Sequence, residues 1–193
     1  MNKVYQFIPV FLITVLFAGG TELHVDRSAD NIVKFISDAK IETFEGVTSN
    51  VDGYLYWEGE NLTNKSLVYF EVDLNTLDTG IGLRNRHMRD NYLETNKYRF
   101  TNYKGKITEA KKNGDGIYDV KVEGTISIHG VIKPLTVDGT ITMNDDKSYN
   151  IKTKFNVKLS DFKIDIPSLM FLKINEVIKV QLNINMKTPD NLG

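Results

Sequence analysis

The chain has 193 residues, no cysteine and a formal net charge of −1. That length suits one domain with a sizeable core. The missing thiols exclude a disulfide framework, thiolate metal sites, cysteine nucleophiles and a lipid-modified N-terminal cysteine, and near-neutrality argues against a nucleic-acid partner, which wants a concentrated basic face.

Residues 1–20 read as a signal peptide. Lys3 supplies a positive start, Phe7 to Ala18 an apolar run, and Ala18 and Gly20 the small residues of a cleavage site. The run is shorter than the roughly 18 apolar residues of a membrane span. Cleavage is expected between Gly20 and Thr21, which removes Lys3 and no acid and takes the charge from −1 to −2. The expectation is a periplasmic or secreted protein with no stable membrane span after cleavage.

The mature chain, expected to be one domain over 21–188 with a tail at 189–193, alternates like antiparallel strand almost throughout. Glu22–Asp26, Ile32–Ser37, a less regular Ile41–Val47, Asn50–Glu58 and Ser66–Asp73 come first. Val51, Gly53, Leu55 and Trp57 alternate with Asp52, Tyr54, Tyr56 and Glu58. Later strands are expected over Tyr98–Ala110, Ile117–Ile128, Val131–Met143, Tyr149–Leu159 and Ile178–Met186, with turns at Lys112–Gly116 and His129-Gly130. In the last strand Ile178, Val180, Leu182, Ile184 and Met186 alternate with Lys179, Gln181, Asn183 and Asn185. Strict period-two alternation buries one face and wets the other. Eight or more such strands indicate a sandwich or a barrel, and closure removes exposed edges.

One stretch breaks the sheet pattern. VDLNTLDTGIGLRNRHMRDNYLETNKYRF, Val72 to Phe100, turns at Asp78-Thr79-Gly80 and then reads as a short charged helix near residues 83–93. Leu83 and His87, then Met88 and Tyr92, stand four apart and so share sides of that helix. It is the candidate lid. Its basic residues Arg84, Arg86, His87 and Arg89 are the candidates for holding a ligand head group, because guanidinium groups form paired, charge-assisted bonds to phosphate or carboxylate. The bland alternative is a solvated face with Arg89 paired to Asp90 or Glu94. Arg99 lies downstream.

Three blocks inside this pattern, VDLNTLDTG, RDNYL at Arg89–Leu93 and ISIHGVIKPLTV at Ile126–Val137, followed by SDFKI at Ser160–Ile164 and EVIKVQLNI at Glu176–Ile184, resemble the YceI-like lipid- or polyisoprenoid-binding family over roughly Glu22 to Lys187. The resemblance implies an all-β, extended antiparallel lipocalin-like barrel of about eight strands with an amphiphilic ligand in its pore. Arg99 stands where that family commonly has proline, so the loop here is altered. The aromatics are Phe35, Trp57, Phe70, Phe100, Phe155, Phe162 and Phe171, and all of them but Phe162 are the candidate cavity residues, because a barrel of this size either fills with side chains or holds one small ligand. Pro167 to Leu172 is a candidate lip.

His24, His87 and His129 have no metal-ligand spacing, and no GxSxG or Walker A motif occurs. The expectation is therefore a binding protein, not an enzyme, with no metal and no cofactor, whose partner is an amphiphilic lipid or isoprenoid. A homodimer fits that picture. The rival is an exported β-sandwich interaction module that binds a glycan or protein at its surface through Tyr54, Tyr56 and Tyr69.

Overall fold

The computed structural model describes residues 19–38, 43–165 and 174–189. Residues 1–18 of the expected signal segment, the Pro167–Leu172 stretch with Phe171, and most of the tail lie outside the described residues, while Gly20, the last residue of that segment, is the first of a strand.

Strand β1 (Gly20–Val25) pairs with β4 (Val51–Glu58), and the sheet then continues through β5 (Leu67–Asp73), β6 (Phe100–Gly114), β7 (Ile117–Ile128), β8 (Val131–Met143), β9 (Tyr149–Lys158) and β10 (Val177–Lys187). Val25 and His24 pair with Met186 and Lys187, which closes an eight-stranded antiparallel barrel. Two more strands, β2 (Ile32–Asp38) and β3 (Thr43–Thr48), form a pair that extends the wall from the other part of the β10 edge. The sandwich alternative is thereby replaced by a closed barrel. Tyr54 and Tyr69, proposed as surface contacts, stack at 5.7 Å on the side of β4 and β5 away from buried Leu55 and Val68.

Several elements follow from local chemistry. His129 and Gly130 both take positive φ, 51° and 73°, giving the tight turn that matches strand twist. Strand β6 runs past Ala110 to Gly114, with register shifts at Ile107/Glu109 and Lys112/Gly114. These bulges let it outlast its alternation, so the turn narrows to Asp115-Gly116.

The two ends of the barrel differ. One half is packed solid by Leu23, Leu55, Trp57, Ile107, Val120, Val122, Ile141, Ile184 and Met186. At the other end β5 leaves the wall at Asp73 and the chain returns only at Phe100. Strands β8 and β9 also part here: their pairing runs only from Gly139–Met143 against Tyr149–Thr153. Phe162 and Ile164 fill the split, packed with Ile126 and Val157.

Candidate functional site

A cavity of about 260 Å³ opens at this loose end. Its wall is apolar: Phe70 and Val72 on β5, Tyr103 on β6, Ile126 and Ile128 on β7, Phe155 and Val157 on β9, Ile178 and Val180 on β10, and Val33 and Phe35 on β2. These positions share the inner face because registered neighbours point the same way. Phe70 sits opposite Tyr103 and Tyr103 opposite Ile126, while Phe155 sits opposite Val180 and Val180 opposite Phe35.

The roof is the segment between β5 and β6. It starts with a 3₁₀ turn, Leu74–Thr76, capped by the Asp73 side chain, which accepts from Asn75 N at 3.0 Å. Leu74 and Leu77 dip into the cavity. Helix α1 (Gly82–His87) follows and widens into a π-helical turn over Met88–Tyr92. Met88, Tyr92 and Leu93 face the cavity from it.

The Asp78-Thr79-Gly80 turn brackets this roof. Val47 N donates to Asp78 O and Asp78 N donates to Val47 O, both at 2.9 Å, which ties the roof to β3. Asn85 Nδ2 donates to Asp78 Oδ1 at 2.7 Å, and Thr79 N and Oγ1 donate to Asn85 Oδ1. The Asn85 amide holds the Asp78 carboxyl below the usual carboxylate range.

The four basic candidates separate. Arg84 lines the cavity, its guanidinium 4.5 Å from the Phe44 ring centre, while its Nε and Nη2 donate to Thr79. His87 also lines it. Arg86 is exposed and outside the lining. Arg89 is outside it too; its Nη1 donates to Asn75 O at 3.1 Å, neither to Asp90 nor to Glu94. Of the four, only Arg84 and His87 therefore stand at the cavity.

The aromatic candidates separate as well. Phe35, Phe70 and Phe155 line the cavity. Trp57 faces inward but lies in the packed half, 6.1 Å from the Tyr149 ring, so it is a core residue. Phe100 is 45% exposed, under the Arg99 guanidinium and outside the lining. It sits on the face opposite to Thr101 and Tyr103, and that places it outside the barrel.

Sequence reasoning missed Tyr103, Phe44 and the aliphatic rows. Tyr103 lines the cavity, and burial pushes its phenol up to about 12. Its signal was available: it falls two residues before Gly105, where alternation puts both on one face.

The loop after the roof is fastened from below. His129 Nε2 lies 2.7 Å from Glu94 Oε2 and Nδ1 lies 3.1 Å from Phe162 O, with the Tyr98 ring edge-on at 4.5 Å. One histidine thus joins the roof loop, the β7–β8 turn and the plug in the β8–β9 split.

A family model described as the YceI-like domain matches residues 23–186. The chain belongs to the YceI-like family. It is 28% identical over 162 residues to a UPF0312 protein of Yersinia pestis (strain Pestoides F), covering 78% of this chain and 81% of that one. It is 26% identical over 163 residues to Protein YceI of Escherichia coli O17:K52:H18, covering 78% and 82%. Among solved structures it matches a polyisoprenoid binding domain from Saccharophagus degradans with a TM-score of 0.70 at 17% identity, covering 86% of this chain and 98% of that chain. At that identity the likeness shows the shared barrel fold. YceI-like membership also agrees with a binding protein more than with an enzyme.

Proposed function

We propose that this protein is an exported carrier that sequesters an amphiphilic lipid, isoprenoid or fatty-acid-derived, in its barrel without changing it chemically. The observation that carries the reading is the cavity at the loose end: an almost wholly apolar wall under a short helical roof. A structural neighbour that is a polyisoprenoid binding domain supports the ligand class. The N-terminal pattern of Lys3, an apolar run and Ala18/Gly20 supports export to an envelope or extracellular compartment.

The apolar chain leaves water for the cavity, and each buried methylene contributes about 0.8 kcal/mol. The head stays at the rim, where His87 and Arg84 of the roof and Lys34 of β2 are the basic groups of the lining, Lys34 being paired with Glu45. Because Thr79 engages two donors of Arg84, that arginine also holds the roof in place.

Native mass spectrometry of the purified mature protein, followed by organic extraction, tests this. A co-purifying lipid that extraction removes and re-addition restores is the expected result. A protein that stays at its apo mass after incubation with both a fatty acid and a prenyl alcohol would overturn it.

A further inference from the structure

The cavity has a floor, and the floor is built from a glycine pair. Gly105 and Gly124 face each other across β6 and β7. A Cβ on Gly105 would sit 3.1 Å from the Tyr103 ring and 2.7 Å from Glu123 O, and one on Gly124 would run into Lys104 O. Missing side chains let the two strands approach closely. They also clear the inner wall below Tyr103. Its ring lies over Gly105, and its hydroxyl comes within 3.0 Å of Leu135 O on β8 and 3.1 Å of Val122 O. The hydroxyl donates to one of these carbonyls at a time. Tyr103 therefore leans along the wall toward the packed half, anchored at its far end.

Tyr103 also joins the two packed regions. It touches the solid half and the cluster at the mouth, as Phe155 and Leu135 do. Beneath it no space opens: Leu23, Leu55, Ile184 and Met186 are at most 1% exposed.

The depth above this floor follows from the strand. On β10 the lining runs from Ile178 to Leu182. Four steps of about 3.3 Å, on a strand tilted roughly 40°, give about 10 Å along the barrel axis. A zigzag carbon chain with bonds of about 1.5 Å advances about 1.25 Å per bond, so about eight bonds span it. The cavity volume of about 260 Å³ points the same way, lying below the usual range of roughly 300–1,000 Å³ for ligand pockets.

We propose that Tyr103 sets the length limit of the ligand, so that the barrel shelters a single chain of about ten carbons and not a long polyprenyl tail. This rests on the lipid-carrier reading and sharpens it to a size class: medium-chain fatty acyl or short prenyl amphiphiles. Carbons beyond the limit stay in the mouth and add little affinity.

The test is calorimetric titration of the delipidated mature protein with saturated fatty acids of six to fourteen carbons, each below its micelle concentration. Affinity should rise about fourfold per methylene while the chain is still descending, the equivalent of ~0.8 kcal/mol, and flatten near ten carbons. A rise that continues at the same slope to fourteen carbons overturns the length limit and leaves the carrier reading intact. No binding at any length overturns both.

Two variants place the limit. Tyr103→Ala should move the flattening point to longer chains, whereas Tyr103→Phe, which keeps the ring, should leave it within about one methylene of the parent. If Tyr103→Ala does not fold, Leu182→Ala at the bottom of the β10 row serves instead. An unmoved flattening point in the folded variant would take the role away from the floor.

Discussion

The Asp73 carboxylate accepts from Arg99 Nε at 3.0 Å and Nη2 at 2.7 Å through one oxygen and from Asn75 N at 3.0 Å through the other. Asp73 is the last residue of β5 and Arg99 stands just before β6, so this pair closes the two ends of the roof onto each other. Its carboxylate side chain is 4% exposed, while the guanidinium is largely in solvent.

The hydrogen bonds from Arg99 hold the Asp73 carboxyl below its ordinary value, against the opposing effect of burial. A folded value below the unfolded one means the stabilisation is complete above the ordinary carboxylate range near pH 4 and disappears as pH falls through the lower folded value. Arg99→Gln should cost about 1–3 kcal/mol at pH 7, the range for leaving a buried acceptor short of its partner. Urea unfolding from pH 7 to pH 2 should show the parent and variant curves converging in the acid. A constant gap across that range would show that the arginine acts through packing on Phe100.

Trp57→Ala and Phe70→Ala should behave differently although both side chains face inward. Trp57 belongs to the solid half, so its loss should cost about 3–5 kcal/mol that added lipid does not restore. Phe70 lines the cavity, so its loss should weaken lipid retention more than folding. Thermal unfolding with and without decanoate separates them. Equal, lipid-insensitive losses would mean the cavity is part of the rigid core.

His129→Ala should release the roof loop from the plug. The expected outcome is faster backbone hydrogen exchange in residues 88–98 and around Phe162, with strands β7 and β10 unchanged. Lipid dissociation should quicken in parallel. Unchanged exchange in both segments would reduce the histidine to a turn residue.

Gly124→Ala should be among the most harmful small substitutions in the barrel. Its Cβ meets Lys104 O, which is backbone and cannot swing aside. Overpacking of this kind costs typically about 1–3 kcal/mol. Gly82→Ala, where no atom lies within 4 Å of the added carbon, is the control, and a similar cost at both would remove close strand approach as the cause.

The strands were legible in the sequence because alternation is a local property, while the choice of a barrel over a sandwich came from the family resemblance. The row Ile178, Val180, Leu182, Ile184, Met186 announces a half-buried strand by itself, and the His129-Gly130 turn announces its hairpin. The helical break after Asp78 was legible for the same reason. Height within the barrel was not, because it depends on register between strands far apart in sequence. Alternation puts Trp57 and Phe70 on inner faces alike; only the pairing of Trp57 with Thr21 and of Phe70 with Tyr103 places one in the solid half and the other beside the cavity. Phe100 was misread for a simpler reason: the strand begins at Phe100 itself, and its phase is set by Tyr103 inside. The arginines of the roof show a third limit. Helical spacing brings Arg86 and Arg89 to neighbouring positions, yet Asn75, fourteen residues before Arg89, takes its guanidinium.

The most direct measurement is where a bound chain touches the protein. In methyl-labelled protein saturated with decanoate, nuclear Overhauser contacts from the alkyl protons should appear at Ile126, Ile128, Ile178 and Val180, which line the cavity. They should be absent at Ile132, which is 67% exposed on the outside of β8, and at Ile184 in the solid half. Contacts confined to Ile132 and other outer methyls, with none at the four lining positions, would contradict the account.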